Sequence, residues 1–130
     1  MSLNDNLSNV LSQILAYEKV GKKEFVTRNN SKIILKVLGL MQENRYIGSF
    51  EEIPDSKGAL LKVHLLGNIN KTGVIKPRFS VSRDAFEKFE KRYLPAKDFG
   101  IIIISTSQGW MVHTEAKKKG IGGRLISYCY

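Results

Sequence analysis

Four isoleucines in succession, at positions 101–104, are followed at once by Ser105, Thr106, Ser107, Gln108 and Gly109. A segment that is apolar at every position has no side to turn toward water, and its β-branched residues favour extended backbone, so it reads as an interior strand covered on both faces. A chain built around such a strand needs layers above and below it, which excludes a lone hairpin. The abrupt change to hydroxyls marks where the strand leaves the interior and hands its backbone to solvent or to a partner. One outcome is a turn satisfied by its own side chains. The other is a docking point: short donors and acceptors on a rigid base, with a glycine that lets a partner come close to the backbone. Such hydroxyls can donate to phosphate oxygens or accept from ribose hydroxyls, so all five residues are candidates for reading a folded RNA.

The rest of the chain must supply the covering layers. Leu7, Val10, Leu11, Ile14 and Leu15 recur at helical spacing, with Asn4 or Asp5 to cap and Gly21 to stop, and predict an amphipathic helix over 5–20. A short strand follows over 24–27. Asn30 or Ser31 then caps a second helix whose inward stripe is Ile34, Val37, Leu38 and Met41. Residues 47–53 and 59–66 read as strands around a turn over 54–58. Residues 1–68 thus form a lobe of helix, strand, helix, strand, strand.

The loop-forming segment GNINKTG over 67–73 marks the boundary to a second lobe, residues 69–130, mainly β with short helices. In it Phe79 and Val81 alternate as in a strand. Ser82 caps a helix carrying Phe86, Phe89 and Tyr93 inward, which Leu94 and Pro95 end. Thr114 opens a short helix over 115–119 that Gly120 stops, and residues 124–130 form a last strand. The fold class expected is α+β, as two small α/β lobes in close contact.

Charge separates the two lobes. The chain carries +9 overall; residues 1–70 hold nine basic and seven acidic side chains, and residues 71–130 hold twelve and five. A basic surplus on one lobe favours a polyanionic partner, with a plain solubility surface as the alternative. Lys76 and Arg78 precede a strand, Lys117, Lys118 and Lys119 ride the short helix, and Arg124 follows two glycines. If these converge, each neutralised phosphate releases counterions. Three successive lysines on a helix cannot all face one way, so two of the three are expected to reach a partner. Tyr93, Trp110, Tyr128 and Tyr130 either stack on unpaired bases or fill core and interface.

Enzyme signatures fail. Gly21 and Lys22 are followed by Lys23 where a phosphate-binding loop needs Ser or Thr, and Ala16 stands where that loop needs glycine. Gly120-Ile121-Gly122-Gly123 precedes a strand, the reverse of a dinucleotide motif. His64 and His113 are not spaced to serve a nucleophile at Ser105 or Ser107, and His113 beside Thr114 reads as a helix-entry residue. With Cys129 as the single cysteine, neither an intramolecular disulfide nor a metal site is expected, and the default compartment is the cytoplasm. No run approaches the ~18 apolar residues of a membrane span, and the first residues lack a signal-peptide pattern. No cofactor, no membrane and no small-molecule substrate are expected, and the chain alone should be a monomer.

Taken together, FGIIIISTSQG over 99–109 and HTEAKKKGIGGRLISYCY over 113–130 resemble the signatures of ribosomal protein S8 of the small subunit, in its archaeal and eukaryotic form. GVIKPRFSV, DNLSNVLSQILAYEK and RYIGSFEEI are similar to its pattern as well, so the resemblance covers essentially the whole chain. It implies two α/β lobes and a structural, non-enzymatic protein that binds the central domain of 16S ribosomal RNA, helps assemble the platform, and touches neighbouring small-subunit proteins. It also implies RNA contacts at Ser105, Thr106, Ser107, Gln108 and Gly109, at Gly122 and Gly123, and at Ser31 and Lys32. Bacterial members carry a small or aliphatic residue in place of Trp110, and a carboxylate is common in place of Arg124. Two rival readings remain at this point. A regulatory RNA or DNA binder outside the ribosome would share the basic face. An enzyme of phosphorylated small molecules would need a closed pocket with an acid or base beside the hydroxyls.

Overall fold

The computed structural model describes residues 6–28, 31–56, 58–76, 78–96 and 99–130. The chain divides into two compact units, one running through Lys71 and the other beginning at Thr72. The α+β class expected from the sequence is what is found, with four helices among the described residues and sheets that are antiparallel throughout.

The first unit contains α1 (Asn6–Lys19), β1 (Glu24–Thr27), α2 (Lys32–Glu43), β2 (Ile47–Asp55) and β3 (Gly58–Leu65). Its sheet has the order β1-β3-β2. Both helices bury the residues that helical spacing selects: Leu7, Val10, Leu11 and Ile14 on α1, and Ile34, Val37, Leu38 and Met41 on α2. Central strand β3 buries Leu61, Val63 and Leu65 and leaves the residues between them partly open, the period-2 pattern of a sheet covered on one face. Ser31 caps α2, while the alternative cap Asn30 and the α1 caps Asn4 and Asp5 lie outside the described residues. The hairpin is tighter than the sequence suggested. Pairing continues through Pro54↔Ala59 to Asp55↔Gly58, in place of a turn over 54–58. Proline is tolerated there because β2 is an edge strand.

The second unit contains β4 (Thr72–Val74), β5 (Ser80–Val81), α3 (Phe86–Tyr93), β6 (Ile101–Thr106), β7 (Gly109–Val112), α4 (His113–Lys119) and β8 (Gly123–Cys129). The five-stranded sheet runs β4-β8-β6-β7, with β5 beside β8. Strand β6 therefore lies between β8 and β7, and its four isoleucines are buried. On one face Ile102, Ile104, Met111 and Leu125 join Phe86 and Phe89 of α3 and Ala116 of α4 in the core.

Several local expectations give way here. Ser82 is not the cap of α3: the helix starts at Phe86 after Ala85, and the Ser82 carbonyl instead accepts the Ala85 N–H at 3.0 Å in a preceding turn. Thr114 does not open α4, which begins at His113. Strands β4 and β7 were not anticipated, because each is short and contains a glycine that reads locally as a turn. No helix among the described residues is long and apolar enough to cross a membrane.

Candidate nucleic-acid interface

Strands β6 and β7 form a hairpin in register Ile104↔Met111, Ser105↔Trp110 and Thr106↔Gly109, which leaves Ser107 and Gln108 as its two-residue turn. The Thr106 hydroxyl donates to the Gly109 carbonyl at 2.6 Å and accepts the Gln108 N–H at 3.1 Å. Its oxygen is thus committed to holding the turn, as Ser and Thr commonly do. Ser107, Gln108 and Gly109 are exposed, and Ser105 and Thr106 are half-buried. Among the described residues the Ser107 hydroxyl has no hydrogen-bond partner. Gly109 adopts φ 111°, a region that strains any residue with a Cβ, yet nothing lies within 4 Å of where that Cβ would stand. The hydroxyl tip divides into a self-bonded anchor, Thr106, and an open rim.

Gly122 and Gly123 are fixed by the opposite circumstance. A Cβ at Gly122 would collide with the Val81 carbonyl, and one at Gly123 with the Ser105 carbonyl. Their role in this fold is to let the start of β8 approach its neighbours more closely than a side chain permits. The approach sets Arg124 opposite Ser105 on one side and Ser80 on the other. Arg124 is exposed and makes no ion pair among the described residues.

The lysines of α4 are not equivalent. Glu90 on α3 is buried, its side chain 4% exposed, and Lys117 Nζ forms an ion pair with its Oε1. His113, wholly buried, accepts the Ile102 N–H on Nδ1 at 3.0 Å, which leaves the neutral ring's proton on Nε2, 3.8 Å from the same carboxylate oxygen. Lys119 lies 3.7 Å from Glu115 one turn away at the surface, whereas Lys118 is exposed and has no ion-pair partner among the described residues. One lysine of the three therefore neutralises a buried acid, and Lys118 has the most freedom to meet an outside anion.

Lys76 and Arg78 are exposed on the segment between β4 and β5. That segment runs along β8, with Ile75 N–H donating to the Ile126 carbonyl and Leu125 N–H to that of Phe79, each at 2.9 Å. The second unit thus brings together the hydroxyl tip, Gly122, Gly123 and Arg124 by strand pairing, and sets Lys76 and Arg78 alongside the same strand. Ser31 and Lys32 belong to the first unit. The Ser31 hydroxyl accepts the Ile34 N–H at 3.3 Å, and Lys32 is exposed in the first turn of α2. Tyr93, Tyr128 and Tyr130 stack on one another, at 5.7 and 6.3 Å between centroids, against the edge of the core.

Sequence reasoning missed Glu90, although it stands four residues after Phe86 and so falls within the inward stripe of α3. It also missed Ser80 beside Arg124, because the alternation at Phe79 and Val81 marks a strand without saying which strand it pairs with. The enzyme reading needed a pocket at the hydroxyls. Of the two cavities described, one of about 200 Å³ is lined by Glu87, Glu90, Lys91, Leu94, Pro95 and Ala96, and the other lies in the first unit; neither touches the tip. No group of acidic, His and Cys side chains among the described residues is placed to hold a metal ion.

An open hydroxyl rim on a basic, antiparallel unit is consistent with binding a structured polyanion. The family model for ribosomal protein S8 matches residues 5–130. Covering nearly the whole chain, this match shows that the chain belongs to the ribosomal protein S8 family, structural rRNA-binding proteins of the small ribosomal subunit.

Proposed function

We propose that the chain is a primary binder of the central domain of 16S ribosomal RNA, of the archaeal and eukaryotic form, and that it helps assemble the platform of the cytoplasmic small subunit beside other small-subunit proteins. The observation that carries this reading is the β6–β7 tip, where Ser107, Gln108 and Gly109 project from a rigid hairpin whose anchor is internally bonded. Ordering these groups on binding costs little entropy, because the scaffold already holds them. The rim reads RNA shape. Arg124, Lys118, Lys76 and Arg78 supply the salt-dependent part of the affinity by phosphate contact. Thr106 and Ser105 support the rim, and Gly122 and Gly123 act by setting β8 against β6 so that backbone and Arg124 stand beside the hydroxyls. Lys117 contributes through Glu90 more than by direct contact. Ser31 and Lys32 at the start of α2 make the contact of the first unit.

Two measurements test this. The protein should co-sediment with small ribosomal subunits in high-salt gradients, and a transcript of the central domain should bind it in preference to an unrelated RNA of equal length. Binding both RNAs equally, and absence from the subunit peak, would remove the reading.

A further inference from the structure

We infer that Trp110 is a base-stacking residue, so that the RNA must present one unstacked nucleobase to the sheet beside the hydroxyl tip. The inference rests on the rRNA reading above and specifies what that site takes. It starts from strand register. Ser80 pairs with Arg124, Arg124 with Ser105, and Ser105 with Trp110, which aligns four side chains in one row across β5, β8, β6 and β7. Their chain neighbours Val81, Leu125, Ile104 and Met111 all lie in the core. Alternation along a strand then places the whole row on the opposite face.

Three members of that row are polar, with Ser80 and Arg124 exposed and Ser105 half-buried, and the fourth is the largest apolar side chain in the sequence. Trp110 stands on β7, the outermost strand, and is half-buried. On the same face the neighbouring Ile103↔Val112 pair is buried, so this row marks where the face leaves the interior, and the indole stands at that rim. Its neighbours identify the occupant. Arg124 lies two strands away, about 10 Å at ordinary strand spacing, close enough for one nucleotide and its flanking phosphate to span both. Guanidinium suits phosphate, and the Ser105 hydroxyl between them suits a ribose 2′-OH or a base edge. An aromatic face stacks on any base, but only on one already out of its helix, since the A-form major groove is too narrow for side chains to read. The charge of this unit makes RNA the occupant in preference to an apolar protein segment.

Trp110 is the only tryptophan, so the emission of the native chain reports this contact directly. The full chain is titrated with a fluorescein-labelled central-domain transcript, with label anisotropy and tryptophan emission read in parallel. Emission should be quenched in step with anisotropy. Trp110→Phe should keep most of the affinity, and Trp110→Leu should lose about five- to a hundredfold, the range of one base stack. Anisotropy that saturates while emission is unmoved, with Trp110→Leu binding as the native chain does, would overturn the inference and leave the rRNA reading intact. Quenching only in the assembled subunit would overturn it in favour of a protein contact. Failure of the native chain to bind the transcript at any salt would overturn both. Should Trp110→Leu not fold by circular dichroism, native emission and Trp110→Phe decide.

Discussion

The first unit is held together by amphipathic periodicity, whereas the second adds to its apolar core a set of close backbone approaches and a buried ion cluster. In the first, eight helical side chains at 3.6-residue spacing and alternate residues of β3 account for much of the core. In the second, three glycines, Gly100, Gly122 and Gly123, stand where a Cβ would strike backbone, and a carboxylate, an imidazole and an ammonium meet at the junction of α3, α4 and β6. Apolar packing of the first kind tolerates volume-conserving change. Backbone contact and buried charge do not, because a misplaced atom or an unpaired charge has nowhere to go. The less tolerant construction is the one that carries the proposed site, and under that proposal its rigidity keeps the rim in shape before RNA arrives.

The contrast can be broken most forcefully at Glu90. Lys117→Met removes the charge that neutralises this acid and should destabilise the second unit by about 3 kcal/mol in urea unfolding. The double variant Glu90→Leu with Lys117→Met should recover most of that loss. Gly123→Ala comes next, at about 2 kcal/mol or more from overpacking against Ser105, together with weaker RNA binding because β6 must move. Its counterpart in the first unit has the opposite sign: Gly39→Ala, inside α2 with nothing near the added methyl, should raise the thermal midpoint by the equivalent of about 0.5–1 kcal/mol. The smallest effect separates the lysines. Lys118→Ala should leave stability unchanged and reduce the slope of log affinity against log salt by about 1, while Lys119→Ala changes stability by only a few tenths of a kcal/mol. A steeper slope loss for Lys117→Met than for Lys118→Ala would reverse the assignment of the lysines.

Legibility in the sequence followed the same division. Both helices of the first unit could be read because burial and period coincide at Ile34, Val37, Leu38 and Met41, and the interior strand because four isoleucines leave no wet face. Short strands β4 and β7 hold too few residues to show a period, and the alternation at Phe79 and Val81 names no partner strand, so the register that lines up Ser80, Arg124, Ser105 and Trp110 could not be seen. Glu90 was hidden for a different reason. A carboxylate on a helix reads as solvent-facing unless its distant partners are known, and Lys117 and His113 come more than twenty residues later. Gly122 and Gly123 were legible as unusual but not as necessary, because the atoms that exclude their side chains belong to Val81 and Ser105.

The most direct test of the account is the affinity of Ser107→Ala for the central-domain transcript at fixed salt. Ser107 is exposed on the turn, and among the described residues its hydroxyl supports nothing within the protein, so folding should be unaffected. An RNA group that pairs with it would be left unsatisfied, and binding should fall by about 1–3 kcal/mol, roughly five- to 150-fold, with no change in salt slope. Equal affinity of the two proteins for this RNA would contradict the claim that the hydroxyl rim recognises it.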